Sequence, residues 1–304
     1  MKSPRRVCLA ALSFLLTGSV WIGAQKPPDD DFRLKVDVNL VLVPAHVTSV
    51  TGDPITNLDR DAFEIYEDGE LRPLLVFERQ TALPLQLVLM IDTSLSTYSA
   101  LQAQAEAAGR FFRQVLRPED RAALYEFSGG VYRRQGFTHD LKDLEKSLER
   151  LKPRAGTALY DAIVEIARDL RKREGRRVLV IVSDGVDTTS ERDFQAALQA
   201  GQRAELAIYA LVTRPIPGET GRSIRGEHVL RALAEMSGGQ VFFPASAREL
   251  DAFFQQLRDL LRTQYLLGYA APKHEGKEDF HRIEVRVRSG DFVRHRRGYW
   301  HRPD

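Results

Sequence analysis

An aspartate and two serines at alternate positions, Asp92, Ser94 and Ser96, follow an apolar run, Leu87-Val88-Leu89-Met90-Ile91. A carboxylate and two hydroxyls are small, hard oxygen donors, suited to Mg²⁺ or a similar cation and not to zinc or copper. Two further motifs carry the same donor types. Gly156-Thr157-Ala158 opens a helical pattern, and Ser183-Asp184-Gly185 closes a second apolar run, Arg177 to Val182. Each has a plainer reading: Asp92 and Asp184 can start turns, and the serines and Thr157 can cap helices. Asp161, one helical turn after Thr157, reads better as an acidic residue in a helix's first turn than as a further ligand. His46, His139, His228, His274, His281, His295 and His301 are scattered without ligand spacing and read as surface residues.

The elements around these motifs decide whether they can meet. Five apolar residues are too few for a helix of their own and suit a strand buried on both faces, as in a parallel sheet under helices. Open α/β sheets bind ligands at the carboxyl ends of such strands. From Leu85 onward strands alternate with helices. Strands are predicted at 122–127, 177–182, 206–212 and 240–243, and helices at 99–116, 141–151, 158–173, 194–203, 229–236 and 250–262, with a polar loop at 214–227. The fold class expected is α/β, a doubly wound, mostly parallel sheet with helices on both faces. In such a sheet Ser94, Ser96 and Thr157 would meet Asp92 and Asp184 at one rim. That is too few protein ligands to fill an octahedron, but Mg²⁺ accepts an incomplete cage and keeps waters or takes an oxygen from a ligand.

The flanks have another rhythm. Residues 32–80 contain short alternating runs and an Asp68-Gly69 pair, a hairpin signal between β-rich segments. Residues 266–304 include Arg282 to Arg288, alternating with period two. The two flanks are expected to pack as one small antiparallel β module, because 32–80 alone would leave open edges. The basic cluster Arg294-His295-Arg296-Arg297 reads as the solvated face and edge protection of a strand.

Composition limits the function classes. Of 304 residues, 43% are hydrophobic, enough for a packed core. Lys2, Arg5 and Arg6 precede an apolar stretch, Val7 to Val20, and Gly23-Ala24 offers a cleavage point; residues 1–24 have the layout of a secretory signal peptide, with an uncleaved anchor as the alternative. Its removal lowers Lys+Arg from 44 to 41 against 42 acidic residues, so the net charge of +2 gives no case for nucleic-acid binding. The single cysteine, Cys8, lies in that segment, which leaves no thiol chemistry or disulfide after it.

The ordered set D-x-S-x-S, Gly-Thr and Ser-Asp-Gly resembles the von Willebrand factor A domain family and its metal-ion-dependent adhesion site. The resemblance covers about residues 83–265. Asp92, Ser94 and Ser96 match the family's first element, Thr157 its later threonine and Asp184 its second aspartate. The flanks, with Tyr66-Glu67-Asp68-Gly69 and Arg296-Arg297-Gly298-Tyr299, further look like a subfamily of such proteins known mainly from acidobacteria. The resemblance implies that the three hydroxyls hold Mg²⁺ (or Mn²⁺ or Ca²⁺), and that Asp92 and Asp184 ligate it directly or through water. An Asp or Glu carboxylate of a partner protein would then complete the coordination.

The expected function is thus an extracytoplasmic, metal-dependent protein-binding module for adhesion or assembly, secreted or held at the cell envelope, with no membrane span after signal cleavage. One alternative is a structural envelope-assembly protein with an idle metal site. Another is a Mg²⁺-dependent hydrolase or phosphatase with Asp92 as nucleophile. Such phosphatases usually carry a second aspartate where Ser94 stands, and no G-x-S-x-G, H-E-x-x-H or glycine-rich phosphate loop occurs. The expectation is a protein that is not an enzyme.

Overall fold

The computed structural model describes residues 39–80, 82–213, 224–244, 247–272 and 278–301. The signal-peptide segment 1–24, the strand-like runs before Asn39 and residues 214–223 of the expected loop lie outside them.

The chain enters on β1 (Leu40–Thr48), whose Val41, Val43, Ala45 and Val47 face inward at alternate positions. A 3₁₀ turn at Arg60–Ala62 leads into β2 (Phe63–Glu67), then β3 (Glu70–Arg72) and β4 (Val76–Glu78). Asp68 and Gly69 join β2 to β3 with φ of 51° and 87°. Positive φ at both central residues is what a tight hairpin matching the strand twist requires, and Asp-Gly adopts it readily.

Next comes β5 (Leu85–Asp92), buried at all eight positions. It is followed by a 3₁₀ turn at Leu95–Ala100, α1 (Leu101–Val115), β6 (Arg121–Phe127), β7 (Val131–Thr138), α2 (Leu141–Leu148), α3 (Leu159–Leu170) and β8 (Arg176–Ser183). Then follow α4 (Phe194–Arg203), β9 (Ala207–Val212), α5 (Ile224–Ser237), β10 (Val241–Phe242) and α6 (Ala247–Arg262). These strands form one six-stranded sheet in the order β10-β9-β8-β5-β6-β7, parallel except for the edge strand β7. Side chains alternate across it. Leu85, Leu87, Leu89 and Ile91 pack under α1, α2 and α6, while Val88 and Met90 pack under α3, α4 and α5. The α/β class with a mostly parallel sheet covered on both faces is therefore observed.

The chain closes with β11 (Tyr265–Ala270), β12 (Phe280–Val287), β13 (Phe292–His295) and β14 (Gly298–Trp300). With the first four strands these make two antiparallel sheets, ordered β13-β1-β11-β4 and β14-β12-β2-β3. Their inner faces share one core, including Val43, Ile65, Leu267, Tyr269, Val285 and Tyr299. The Phe63 and Tyr265 rings meet across it at 4.9 Å.

Some elements differ from expectation. Strand β7 was not predicted: its Tyr-Arg-Arg-Gln-Gly stretch has little apolar alternation, because an edge strand needs only one pairing side and tolerates charge on the other. Helix α1 begins at Leu101, later than expected, because the Thr97 hydroxyl donates to the carbonyls of Asp92 (2.9 Å) and Ser94 (3.0 Å) and tightens the preceding turn. Helix α5 starts at Ile224, inside the segment expected to be loop.

The basic cluster lies on the edge strand β13 as expected, with Arg297 exposed, but it is only in part a solvated face. His295 and Arg296 are buried, with Arg296 donating to the Leu42 carbonyl (2.9 Å) and pairing with Glu205 (3.1 Å). His46 and His301 are buried as well, against the surface reading of the histidines. A side chain's burial depends on which sheet crosses it, and local pattern carries no trace of that.

Candidate functional site

Three loops meet at the carboxyl rim of the six-stranded sheet. Asp92 is the last residue of β5, its side chain fully buried. Its Oδ1 accepts from the Ser94 backbone N–H (2.8 Å) and its Oδ2 from the Ser183 hydroxyl (2.7 Å), at the end of the neighbouring β8. Burial pushes the Asp92 carboxyl up to about 6, with the nearby Asp184 adding to the rise and the bonds from Ser183 and Ser94 opposing it. From Asp92 the chain turns so that the Ser94 and Ser96 hydroxyls lie 3.0 Å apart, and Ser96 donates to Asp184 Oδ2 at 3.1 Å. The other Asp184 oxygen accepts from the Val186 N–H (3.0 Å), so the turn-starting role expected of this residue is also present.

Thr157 arrives on the loop before α3. That loop is stitched to the rim by backbone bonds: Arg154 N–H to the Thr93 carbonyl (2.9 Å), Gly129 N–H to Ala155 (2.9 Å), and Ala158 N–H to Ser128 (2.6 Å). Gly156 makes the close approach possible. Its φ is +82°, and a Cβ there would stand 2.9 Å from the Gly129 Cα. Below the loop, Glu126 of β6 is buried and held by Arg134 (2.6 and 2.9 Å) and by Arg154.

The plainer reading of Thr157 as a helix cap does not hold. The first N–H groups of α3 are taken by others: Asp187 Oδ2 accepts from Leu159 (2.8 Å), and the Ser190 hydroxyl accepts from Tyr160 and Asp161 (both 3.1 Å). Thr157 itself is buried, with its backbone N–H donating to the Thr188 hydroxyl at 2.9 Å. Asp161 is used elsewhere, its two oxygens accepting from the N–H groups of Glu191 (2.9 Å) and Arg192 (3.0 Å).

The rim thus joins Asp92, Ser94, Ser96 and Asp184 by hydrogen bonds, with Thr157 on the adjoining loop. Ser183, Asp187 and Ser190 were not singled out from the sequence. Ser183 stood beside a chosen aspartate at a strand end, but its role depends on the side-by-side pairing of β5 with β8.

The donor set fits a small divalent cation. An octahedral ion with oxygens at about 2.1 Å places adjacent donors about 3.0 Å apart, close to the separations between Ser94, Ser96 and Asp184. Among the described residues neither Asp92 nor Asp184 forms an ion pair with a lysine or arginine.

Residues 87–186 match the family model of the von Willebrand factor type A domain. A von Willebrand factor type A structure from Catenulispora acidiphila is similar in fold, with 12% identity, a TM-score of 0.51, and coverage of 84% of this chain and 71% of that one. The conserved hypothetical protein BatB from Bacteroides thetaiotaomicron aligns with 19% identity over 58% of this chain and 98% of its own, at a TM-score of 0.46. The pilus adhesin SpaC from Lactobacillus rhamnosus GG aligns with 10% identity over 83% of this chain and 49% of its own, at 0.49. No curated protein matches the sequence. Among the described residues no helix is long and apolar enough to cross a membrane.

Proposed function

We propose that the rim binds Mg²⁺, with Mn²⁺ or Ca²⁺ as substitutes, through Ser94, Ser96, Thr157, Asp92 and Asp184, and that the cation captures an Asp or Glu carboxylate of a partner protein. The hydrogen-bonded run from Ser94 through Ser96 to Asp184 beside the buried Asp92 is the observation that carries this reading. Hydroxyl ligands add no charge, so a cation held largely by them stays electrophilic toward an incoming carboxylate. Leu95, between the two serines, is 65% exposed, which puts an apolar contact next to the point where a partner would dock. The protein would act as a binding module in adhesion or assembly outside the cytoplasm, consistent with the signal-like segment 1–24. No catalytic role is assigned to the rim.

Calorimetric titration of the purified chain with Mg²⁺ and Mn²⁺ tests the reading, beside Asp92→Ala and Thr157→Ala. Saturable binding by the parent and its loss in both folded variants is expected. Equal binding by parent and variants would overturn it. A partner captured with Mg²⁺ and released by chelator should also be lost with Asp92→Ala; capture that survives the substitution would instead favour an assembly protein with an idle rim.

A further inference from the structure

A second group of ligand-type side chains lies in the β-sandwich. Along the inner face of one of its sheets the alternating residues are apolar: Phe63 and Ile65 on β2, and Val287, Val285 and Ile283 on β12. One step further along each strand the chemistry changes. β2 ends in Glu67, β12 reaches His281, and His301 lies two residues beyond Tyr299 of β14. The turn residue Asp68 adds a second carboxylate, its backbone N–H donating to the Arg282 carbonyl at 2.9 Å.

We propose that Glu67, Asp68 and His281 bind Zn²⁺ or a like transition cation, with His301 beside them as a further imidazole. One ligand atom from each of the three lies within 4.8 Å of the others. His281 Nδ1 is 2.7 Å from Asp68 Oδ2 and 3.8 Å from Glu67 Oε1. A tetrahedral ion with nitrogen and oxygen ligands at about 2.0–2.1 Å sets its donors about 3.3 Å apart, a value these two separations bracket. The His301 ring centre is 6.1 Å from that of His281.

The surroundings suit a metal. The Tyr299 hydroxyl donates to Glu67 Oε1 (3.0 Å) and the Arg282 N–H to Asp68 Oδ1 (2.8 Å), outer bonds that orient both carboxylates. Glu67 is 0% exposed, which would shield a cation bound there from solvent. Asp68 is half-exposed and gives the ion a way in. Binding through His281 Nδ1 needs the neutral imidazole with that nitrogen unprotonated, so any proton there leaves to solvent. Imidazole with carboxylates favours zinc-like ions, whereas the hydroxyl-rich rim favours Mg²⁺, so the two sites would select different metals.

The test is Zn²⁺ calorimetry and Co²⁺ visible absorption on the purified chain in excess Mg²⁺, repeated in Asp92→Ala. One equivalent of Zn²⁺, and Co²⁺ bands of tetrahedral intensity, are expected in both. His281→Ala should abolish them. Asp68→Asn, a change at an exposed turn, should weaken binding at least tenfold and serves where a buried substitution fails to fold. No Zn²⁺ binding by the folded parent, or binding unchanged in His281→Ala or Asp68→Asn, would overturn the proposal in favour of a metal-free clasp between the hairpin and β12. Neither result bears on Mg²⁺ binding at the rim, which is read separately.

Discussion

Asp92 is fully buried at the rim, and the Ser183 hydroxyl donates to its Oδ2. Removing a hydrogen-bond partner behind a ligand typically weakens metal affinity about 10- to 100-fold. If the rim binds Mg²⁺ as proposed, Ser183→Ala is expected to raise the dissociation constant by about tenfold or more while the fold survives, as read by calorimetry and circular dichroism. An affinity equal to the parent's would show that Asp92 is positioned without it.

His46 makes a different residue-scale prediction. It is buried, with Nε2 3.1 Å from the Tyr209 hydroxyl and 2.9 Å from the Gln264 amide nitrogen, and burial pushes it down from 6.5 to about 3. The folded protein thus keeps His46 neutral where the unfolded chain takes up a proton. Its contribution to stability is present above 6.5 and is lost as pH falls from there toward about 3. Between pH 7 and pH 5 the loss amounts to about 2 kcal/mol. Urea denaturation at the two pH values should show a decline smaller by about that amount in His46→Gln. An identical decline would mean that His46 does not titrate in this way.

At the scale of elements, the rim depends on loops pressed against strand ends. Gly156 lets the Thr157 loop pass against the turn between β6 and β7, and a side chain there would meet both a positive φ and the Gly129 backbone. Strain of this kind costs about 1–3 kcal/mol. Gly156→Ala should lower stability by about that amount and, on the proposed role of Thr157, also weaken Mg²⁺ binding, because relieving the clash moves that residue. Lowered stability with unchanged binding would separate the loop from the site. Helix α3 shows how little an element owes to its own sequence: its cap comes from Asp187 and Ser190, beyond β8.

At the scale of the whole molecule, the six-stranded sheet and its helices are inserted in the β-sandwich between β4 and β11, which pair with each other. At the exit from the inserted sheet the Arg176 guanidinium donates to the Leu261 carbonyl of α6 (2.6 Å) and to the amide oxygen of Gln264 (2.8 Å), the residue before β11. β1 is flanked by β11 and β13, and β2 by β12 and β3. A chain ending at Thr263 would strip β1 of both neighbours and expose the apolar inner faces. Such a truncation is expected to aggregate or to unfold without a cooperative transition in scanning calorimetry. A soluble product with a parent-like transition would show that the inserted domain folds without the sandwich.

The α/β class was legible because its signals are local: β5 and β8 are apolar runs of strand length, and helical spacing recurs between them. The placing of carboxylates and hydroxyls at strand ends was legible for the same reason, since Asp92, Ser94 and Ser96 share a few residues and Ser183-Asp184-Gly185 ends a strand. Strand β7 was not, because an edge strand bears charge where an inner one cannot. The buried positions of His46, Glu67 and His295 were not legible either, since the strands that pair with theirs come from the far end of the chain. Sequence by itself determined which short segments become strands and helices and which oxygen donors end them. Only the tertiary structure decided which donors share a rim and which polar groups share a core, because pairing between distant strands is a property of packing and leaves no local periodicity.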